Sequence, residues 1–561
     1  MMPQTDKPIA AYIAERLSER GIVDVVVSPG SRNAPILMSL LHSGRFNVLS
    51  VLDERTAAFI ALGISQAKTR PVAVCCTSGS AVLNYAPAFA EAFYQRVPLI
   101  AITADRPRHL INQGEGQSIR QPGALGNVVC HEAILTGHPD EPNLWLDQRL
   151  VCEAVEAALH RQLPVHINLP LDEPLYNTCR AEHRFKYGFT RIETATTLTE
   201  NAASQLLRTW SSSKRALFLV GQANVSEAEA LKLAQLAEIH NLAVVTETTS
   251  NITNPFFVSS IDRTIEQFLD TKEETEFVPD LLITYGSNLI SKKIKAFLRK
   301  HRADIKNHWH IGESPMDTFA CLSAHIPIEL NDLLARLIKN AAPLPRNFCD
   351  RWRKAFFESE LRHTAFIGEC PYSDLLVFHH IIDSIPEGWS FQMGNSSVVR
   401  YVQLFSHIKG VRYFGNRGVS GIEGCVSTAL GYATSSGKPT LCVVGDHTFR
   451  YDSNALVSVP VPPNLKIVVI NNGGGNIFRI IDGPSSHNDL LPYIEKPEKG
   501  SIEKLVGQSS VAYRGVRDEG QLIDSLEWLF TLEEPAVLEI FTDASANPHV
   551  LKDYFISLKS G

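Results

Sequence analysis

Short apolar runs recur along this chain, and each ends in small or polar turn residues before helical periodicity begins. Runs of four or five apolar, often β-branched residues that alternate with helices indicate parallel strands covered on both faces. Open α/β sheets place ligands at the carboxyl ends of such strands. The chain is therefore predicted to be α/β. The runs fall at 23–27, 72–76, 99–102, 216–220, 242–245, 281–284, 440–444, 466–470 and 536–540.

Two polar segments without strand patterns, 177–186 and 339–348, separate these runs into three groups. A chain of 561 residues is long enough for several independent cores. We expect three consecutive doubly wound parallel-sheet domains. Their predicted ranges are 1–182, 190–342 and 365–561.

Composition excludes several classes of protein. The chain has 53 Lys and Arg against 60 Asp and Glu, a net charge of −7, which argues against a general nucleic-acid binder. It has no apolar stretch long enough to span a membrane and no export signal at its start. The ten cysteines show no C-x-x-C spacing, so reduced thiols are favoured over a zinc site or disulfides. We expect a soluble, cytoplasmic protein without a membrane span.

The familiar nucleotide-binding motifs are not present. Residues 431–439 resemble a phosphate-binding loop, but five residues separate the two glycines and Pro439 stands where Ser or Thr would bind magnesium. The segment is predicted instead to be a helix end and a turn that leads into the next strand. No Gly-x-Gly-x-x-Gly follows the first strand, so a dinucleotide site has no support.

Oxygen-bearing side chains follow two successive runs of the last domain. Asp446 comes directly after Gly445, and Asn472 lies 26 positions further on, in an Asn-Asn-Gly-Gly-Gly turn. One β–α–β step of this length places both side chains at the carboxyl edge of neighbouring strands. Carboxylate, carboxamide and backbone carbonyl oxygens suit Mg²⁺, which commonly adds phosphate oxygens and water. Each motif alone is an ordinary turn signal, but the pair predicts a metal–diphosphate site.

This pair of motifs resembles the binding signature of thiamine-diphosphate-dependent enzymes of the decarboxylase–synthase type. The resemblance implies the three-domain architecture of that family, with thiamine diphosphate and Mg²⁺ or Mn²⁺ as cofactors. It implies that Asp446, Asn472 and the Gly474 carbonyl bind the metal. Gly394 and Ser396, which follow the apolar start of the last domain, would face the diphosphate.

The same resemblance assigns the other end of the cofactor to the first domain. The family requires a glutamate just before a helix, and Glu54 stands ahead of the helical pattern of 56–68. Its carboxyl would bind the aminopyrimidine ring nitrogen and so activate the cofactor, which makes Glu54 the catalytic residue. Ile422 would separate the two cofactor rings, and Ile477 and Phe478 would form an apolar wall beside them.

Further segments, among them 28–32, 53–55, 77–79, 103–107, 117–123 and 416–422, are similar to the branch of this family that acts in menaquinone biosynthesis. The resemblance implies decarboxylation of 2-oxoglutarate and 1,4-addition of the remaining succinyl unit to isochorismate. Both substrates are dianions, so the site needs fixed positive charge. Arg400 and Arg417 would bind the succinyl carboxylate. The residues expected around isochorismate are Ser31, Arg32, Arg106, Gln117, Lys292, Lys293, Ile477 and Phe478.

In this family the first and last domains of different chains meet, so the resemblance implies a homodimer or homotetramer with shared active sites. Two alternatives remain open at this point. One is a thiamine-diphosphate enzyme that acts on pyruvate, such as an acetohydroxyacid synthase, whose small acceptor would not need so many loop cations. The other is a non-catalytic regulator that binds thiamine diphosphate or a nucleotide, against which Glu54 and the intact metal motif argue.

Overall fold

The structure is a computed structural model that describes residues 4–179, 183, 185, 187–192, 194–480, 487, 489–498 and 500–559. Within these residues, three six-stranded sheets follow one another along the chain, and every strand pair within them is parallel. Helices connect the strands, so the predicted series of three doubly wound α/β domains is confirmed. The exact domain limits remain predictions, and their ends at 1–3, 180–182 and 560–561 lie outside the described residues.

The first domain holds a sheet of order β3-β2-β4-β5-β7-β6, in which the three predicted runs are β2, β4 and β5. Its strands are β1 (Gln4–Thr5), β2 (Asp24–Val27), β3 (Asn47–Ser50), β4 (Val72–Cys76), β5 (Leu99–Asp105), β6 (His131–Ile134), β7 (Val165–Pro170) and β8 (Thr178–Cys179). Its helices are α1 (Pro8–Glu19), α2 (Ala34–Ser43), α3 (Glu54–Lys68), α4 (Ala81–Asn84), α5 (Ala86–Gln95) and α6 (Glu141–Arg161). Strands β1 and β8 form a separate antiparallel pair, so the polar segment 177–186 begins with a short strand.

The central domain has the sheet order β11-β10-β9-β12-β13-β14. Its strands are β9 (Ala216–Val220), β10 (Ala243–Thr246), β11 (Phe257–Val258), β12 (Leu281–Tyr285), β13 (Asn307–Ile311) and β14 (Ala324–Ile326). The helices of this region are α7 (Glu200–Ser212), α8 (Glu227–Ile239), α9 (Ile261–Glu266), α10 (Lys292–Lys300), α11 (Leu330–Asn340) and α12 (Arg346–Ile367). The second polar segment, 339–348, contains the end of α11 and the start of α12, and residues 341–345 between them form the connection.

The last domain repeats the arrangement, with sheet order β16-β15-β17-β18-β20-β19. Its strands are β15 (Ser390–Met393), β16 (Arg412–Gly415), β17 (Thr440–Gly445), β18 (Leu465–Asn471), β19 (Ala512–Val516) and β20 (Ala536–Phe541). Its helices are α13 (Asp374–Ser384), α14 (Ser397–Val402), α15 (Cys425–Ser436), α16 (Asp446–Tyr451), α17 (Ala455–Ser458), α18 (Ile477–Ile480), α19 (Leu491–Ile494), α20 (Glu503–Val506), α21 (Glu519–Thr531) and α22 (Ala546–Leu558). Helix α15 ends before Gly437, as predicted for 431–439.

Helix α3 of the first domain crosses α15 of the last domain at very close range. A Cβ on Gly63 would lie 2.0 Å from the Thr428 carbonyl oxygen, and one on Gly431 would lie 2.1 Å from that of Ile60. Only glycine allows two helix backbones to approach in this way. The crossing fixes the two helices relative to each other. Glu54 begins one of them, and Ile422 lies in the turn before the other.

The structure also shows the state of the cysteines and the character of the helices. All ten cysteines are free thiols. Among the helices of the described ranges, none combines the length and the apolar character needed to cross a membrane.

Candidate active site

The predicted metal residues leave neighbouring strands at one edge of the last sheet. Asp446 follows β17 and begins α16, while Asn472 follows β18. The two strands are paired in parallel, with Gly445 opposite Ile470. The spacing in the sequence therefore corresponds to a real juxtaposition in the fold.

The environment of Asp446 suits a cation. Its side chain is 2% exposed, and no described residue donates a hydrogen bond to its Oδ2 atom. Burial raises the pKa of Asp446 to about 7, and the nearby Asp374 carboxylate adds to the shift. A buried carboxylate oxygen without a partner costs free energy that a bound cation would recover. Asp446 thus fits a divalent metal.

The two asparagines of the turn have different partners. Asn471 donates to Glu539 at 2.6 Å and accepts from the Gly473 backbone N–H at 3.2 Å, so it anchors the turn. The Asn472 amide donates through Nδ2 to Asp374 Oδ2 at 2.9 Å. No hydrogen bond from the described part of the chain occupies Asn472 Oδ1. The side-chain oxygen of Asn472 is therefore available to a metal, whereas that of Asn471 is engaged within the turn.

Gly474 has a backbone conformation reserved for glycine. Its φ is +135°, and a Cβ would lie 2.8 Å from the Glu495 carbonyl oxygen. Its own carbonyl accepts from the Asn476 backbone N–H at 2.8 Å. A carbonyl oxygen has two lone pairs, so this bond leaves one for a metal.

Gly394 and Ser396 lie beside these groups. They follow β15, which pairs with β17, so the ends of β15, β17 and β18 are adjacent. A Cβ on Gly394 would lie 3.0 Å from the Val443 carbonyl oxygen, so the backbones approach closely there. Ser396 has a φ of +71°, a strained value for serine that is typical of functional sites.

Glu54 differs slightly from its predicted position. It is the first residue of α3 rather than the residue before the helix, because the Asp53 carboxylate caps the helix by accepting from the Arg55 and Thr56 N–H groups. Glu54 accepts from Asn84 Nδ2 at 3.2 Å, and burial raises its pKa. In its protonated form, which burial favours, a carboxyl group can donate a hydrogen bond to a ring nitrogen.

The residues that flank Glu54 contact the last domain of the same chain. Asp53 accepts from Asn454 Nδ2 at 2.9 Å, and Arg55 donates to the Tyr451 carbonyl oxygen at 3.0 Å. Among the described residues, however, no hydrogen bond connects Glu54 with Asp446. A single chain thus brings the two regions close together without joining their functional groups.

Ile422 is half-buried at the end of a loop that two side chains hold. Asn395 donates to the carbonyl oxygens of Asn416 and Gly421 at 2.7 and 2.6 Å. Glu91, from α5 of the first domain, accepts from the Gly418 and Val419 backbone N–H groups. Neither residue was singled out from the sequence, because both act through contacts between distant segments.

Arg400 and Arg417 lie close together in the last domain, facing the central domain. Burial lowers the pKa of both guanidinium groups, and the positive charge of Arg400 lowers that of Arg417 further. The Nε atom of each has no hydrogen-bond partner among the described residues. Glu247 of the central domain contributes an opposing negative charge to both, and burial raises the pKa of Glu247 to about 7. The two arginines are thus a pair of buried positive charges that nearby carboxylates partly oppose.

The two predicted lysines of α10, Lys292 and Lys293, lie in different surroundings. Lys292 is exposed at the first position of the helix. Lys293 forms an ion pair with Glu266 and lies over the Phe555 ring at 3.5 Å from its centre. Lys295 was not predicted, yet its ammonium shares electrostatic interactions with Glu247 and with the arginine pair described above. It donates to the Leu289 carbonyl oxygen at 2.9 Å.

Two of the residues predicted around isochorismate in the first domain, Arg32 and Arg106, meet at Glu173. Arg32 is 5% exposed and donates to Glu173 Oε1 at 2.9 Å, while Arg106 lies 3.7 Å from the same oxygen. Arg106 also donates to the Gly116 carbonyl oxygen at 3.1 Å, next to the exposed Gln117. Ser31 is exposed beside Arg32.

The predicted apolar wall follows the turn at 471–475. Ile477 begins α18 and is 8% exposed, and Phe478 is half-buried. A Cβ on Gly475 would meet the Phe478 ring at 3.1 Å, so the ring packs on the turn itself. Apolar groups in this position would keep water from the adjacent polar groups.

Comparison with known proteins adds independent findings. Residues 8–124 match the family model described as thiamine pyrophosphate enzyme, N-terminal TPP binding domain. The chain is 39% identical over 557 residues to a 2-succinyl-5-enolpyruvyl-6-hydroxy-3-cyclohexene-1-carboxylate synthase from Flavobacterium johnsoniae, covering 98% of this chain and 99% of that relative. Proteins with the same name from Flavobacterium psychrophilum and Bacteroides thetaiotaomicron are 37% and 34% identical, over 98% and 99% of this chain and 99% of each relative.

Proposed function

The chain belongs to the family of 2-succinyl-5-enolpyruvyl-6-hydroxy-3-cyclohexene-1-carboxylate synthases, thiamine-diphosphate-dependent enzymes of menaquinone biosynthesis, and from this premise we propose how its residues carry out the reaction. The substrates are 2-oxoglutarate and isochorismate. The first loses CO₂, and the carbon that carried the carboxylate forms a bond to isochorismate by 1,4-addition. The product is the compound for which the relatives are named.

The observation that carries this proposal is the buried Asp446 carboxylate, whose Oδ2 atom has no partner among the described residues, beside the Oδ1 atom of Asn472, which accepts no hydrogen bond from them either. With the Gly474 carbonyl they would hold Mg²⁺ or Mn²⁺ and, through it, the diphosphate. Gly394 and Ser396 lie on the adjacent strand end, where they would face the same group. When bound, thiamine diphosphate supplies the electron sink for decarboxylation and carbon–carbon bond formation.

The catalytic role of Glu54 is supported by its partial burial and its raised pKa. Its carboxyl would hold a hydrogen bond to the pyrimidine ring and so control where the proton of that ring resides. Ile422 and the wall of Ile477 and Phe478 would orient the cofactor and exclude water from the reacting atoms.

The charges of the substrates match the cations of the site. Arg400 and Arg417 would bind the distal carboxylate of 2-oxoglutarate through bidentate hydrogen bonds, for which their free Nε atoms are suited. Isochorismate would lie between the domains. The residues that would contact isochorismate are Ser31, Arg32, Arg106 and Gln117 of the first domain and Lys292 and Lys293 of the central domain.

We propose that the enzyme is a homodimer or homotetramer with the cofactor shared between chains. Large apolar side chains near the start of α3, where Glu54 lies, are exposed in the single chain. Leu52 is 77% exposed, Leu83 50% and Tyr451 51%. Exposed apolar groups that lie close to one another are typical of interaction surfaces. A cytoplasmic location suits the ten free thiols, which a reducing compartment preserves.

The direct test mixes the purified protein with thiamine diphosphate, Mg²⁺, 2-oxoglutarate and isochorismate, and follows the absorbance of isochorismate. We expect it to fall only when all components are present. Pyruvate in place of 2-oxoglutarate should give no reaction, and Glu54→Gln should bind the cofactors but lose most turnover. Isochorismate consumption that is supported equally by pyruvate, or normal activity of Glu54→Gln, would contradict the proposal.

A further inference from the structure

A second buried carboxylate lies next to the proposed metal ligands. Asp374 begins α13 and has a side chain that is 0% exposed. Its Oδ2 accepts from Asn472 Nδ2 at 2.9 Å, and its Oδ1 accepts from the Thr542 hydroxyl at 2.6 Å. Its backbone N–H donates to Asn547 Oδ1 at 2.8 Å. Asp374 is thus held rigidly by three elements of the last domain.

The direction of these hydrogen bonds determines how Asn472 faces the site. Asn547 Nδ2 donates to the Thr542 hydroxyl oxygen at 3.2 Å, so the hydroxyl proton is available for Asp374. Asp374 therefore accepts a hydrogen bond at Oδ1 from Thr542. An ionised carboxylate has no proton to donate, so its Oδ2 atom must also accept a hydrogen bond. An amide beside such a group must turn its NH₂ toward it. The Asn472 carbonyl oxygen is then directed away from Asp374.

The charges of the site agree with this arrangement. Within the described ranges, neither Asp374 nor Asp446 forms a salt bridge with a lysine, arginine or histidine, although both are buried. Asp374 contacts Asn472 at the end of β18, and Asp446 follows the neighbouring β17, so the two carboxylates lie at the same edge of the sheet. The positive charge of Arg450 acts on Asp446, but among the described residues neither carboxylate has a cationic side chain in contact, and buried negative charges without one are costly. A divalent cation bound between Asp446 and Asn472 would balance both.

We propose that Asp374 is a positioning residue that orients Asn472 with its oxygen toward the metal, and that its charge adds to the attraction for a divalent ion. This inference rests on the proposed function, because it takes Asn472 as a metal ligand. Partners that orient metal ligands in this way typically contribute 10–100-fold to metal affinity.

The test measures Mg²⁺ binding to the full-length protein in the presence of thiamine diphosphate by calorimetry, and Mn²⁺ binding by electron paramagnetic resonance. Asp374→Asn should raise the Kd for both ions about 10–100-fold, because the new amide no longer dictates the orientation of Asn472. An unchanged Kd would overturn the inference. If the wild-type protein itself binds neither ion with the cofactor, the proposed function fails instead.

A matched control is Asp147→Asn in the first domain. Asp147 is also 0% exposed and accepts only from neutral donors, the Thr136 N–H and hydroxyl and the Gly137 N–H. Its substitution should lower stability without changing the Kd for Mg²⁺. Equal weakening of metal binding in both variants would assign the effect to a general loss of structure and would overturn the inference.

Two further variants separate positioning from other roles. In an Asn472→Ala background, Asp374→Asn should weaken Mn²⁺ binding far less than it does in the wild-type protein, since the residue to be oriented is gone. An undiminished effect would contradict action through Asn472. Should Asp374→Asn fail to fold, Thr542→Val removes one anchor of Asp374. Thr542→Val should raise the Kd for Mn²⁺ by about threefold, which is less than the effect expected for replacing Asp374. An unchanged Kd would count against the inference.

Discussion

The Glu91 carboxylate accepts a hydrogen bond from the Gly418 backbone N–H at 2.5 Å. Glu91 is 1% exposed and belongs to α5 of the first domain, whereas Gly418 lies in the loop of the last domain between Arg417 and Ile422. A second bond, from the Val419 N–H at 2.8 Å, completes the contact. One domain thereby fixes the loop of another domain that carries a proposed substrate residue and the proposed cofactor wedge.

Glu91→Gln should therefore affect both stability and substrate binding. The variant replaces an acceptor of two backbone N–H groups by an amide that has one acceptor oxygen and places NH₂ near the other N–H. Chemical denaturation should show a loss of about 1–3 kcal/mol. The KM for 2-oxoglutarate should rise because the Arg417 loop is released. A stability loss with an unchanged KM would mean that the contact supports the fold only.

Asp446→Ala should abolish Mg²⁺-dependent binding of thiamine diphosphate in a calorimetric titration. It should also leave the cofactor-free protein at least as stable as the wild type, because it removes a buried carboxylate whose Oδ2 has no partner in the described residues. Retained metal-dependent binding would exclude Asp446 as a ligand. A large loss of stability would show that the carboxylate has a structural partner.

Arg400→Ala should raise the KM for 2-oxoglutarate much more than that for isochorismate, since we place Arg400 at the succinyl carboxylate. Steady-state kinetics with each substrate varied in turn measures this difference. Lys293→Ala is an informative comparison, because Lys293 is already paired with Glu266. Equal increases for both substrates in Arg400→Ala would contradict the assignment.

Gly63→Ala tests the crossing of α3 and α15. The added Cβ would lie 2.0 Å from the Thr428 carbonyl oxygen, so the helices must separate. We expect a loss of about 1–3 kcal/mol or more in thermal or chemical unfolding. Gly126→Ala is the control, because a Cβ added there would have no neighbour within 4 Å. Similar stability of the two variants would contradict the close packing.

The repeating α/β architecture could be predicted from the sequence because each strand is marked by a short run of neighbouring apolar residues. The runs at 72–76 and 216–220 coincide with β4 and β9, since a strand buried on both faces must be apolar throughout. Asp446 and Asn472 could be paired for the same reason, because strand ends and turn residues are visible in sequence. Helix α3 begins at Glu54, before the predicted pattern of 56–68, because Asp53 caps the helix two residues further forward than the apolar pattern indicates.

The rest of the site depends on contacts between distant segments. Nothing in α13 distinguishes Asp374 from an ordinary acidic residue at a helix start, because its partner Asn472 is 98 positions away. The face of α10 that meets the arginine pair is likewise set by packing. The sequence therefore selected Lys292 and Lys293, whereas the structure brings Lys295 to the charges of Glu247 and the arginines.

Glu54 and Asp446 are proposed to act on one cofactor bound between two chains. Differently tagged Glu54→Gln and Asp446→Ala chains can be co-expressed, and the mixed dimers purified through both tags. If the cofactor is shared, each mixed dimer contains one site with both wild-type residues, and we expect about half of wild-type turnover of isochorismate. If purified mixed dimers are as inactive as either variant alone, the two residues do not serve a shared cofactor and the proposal is wrong.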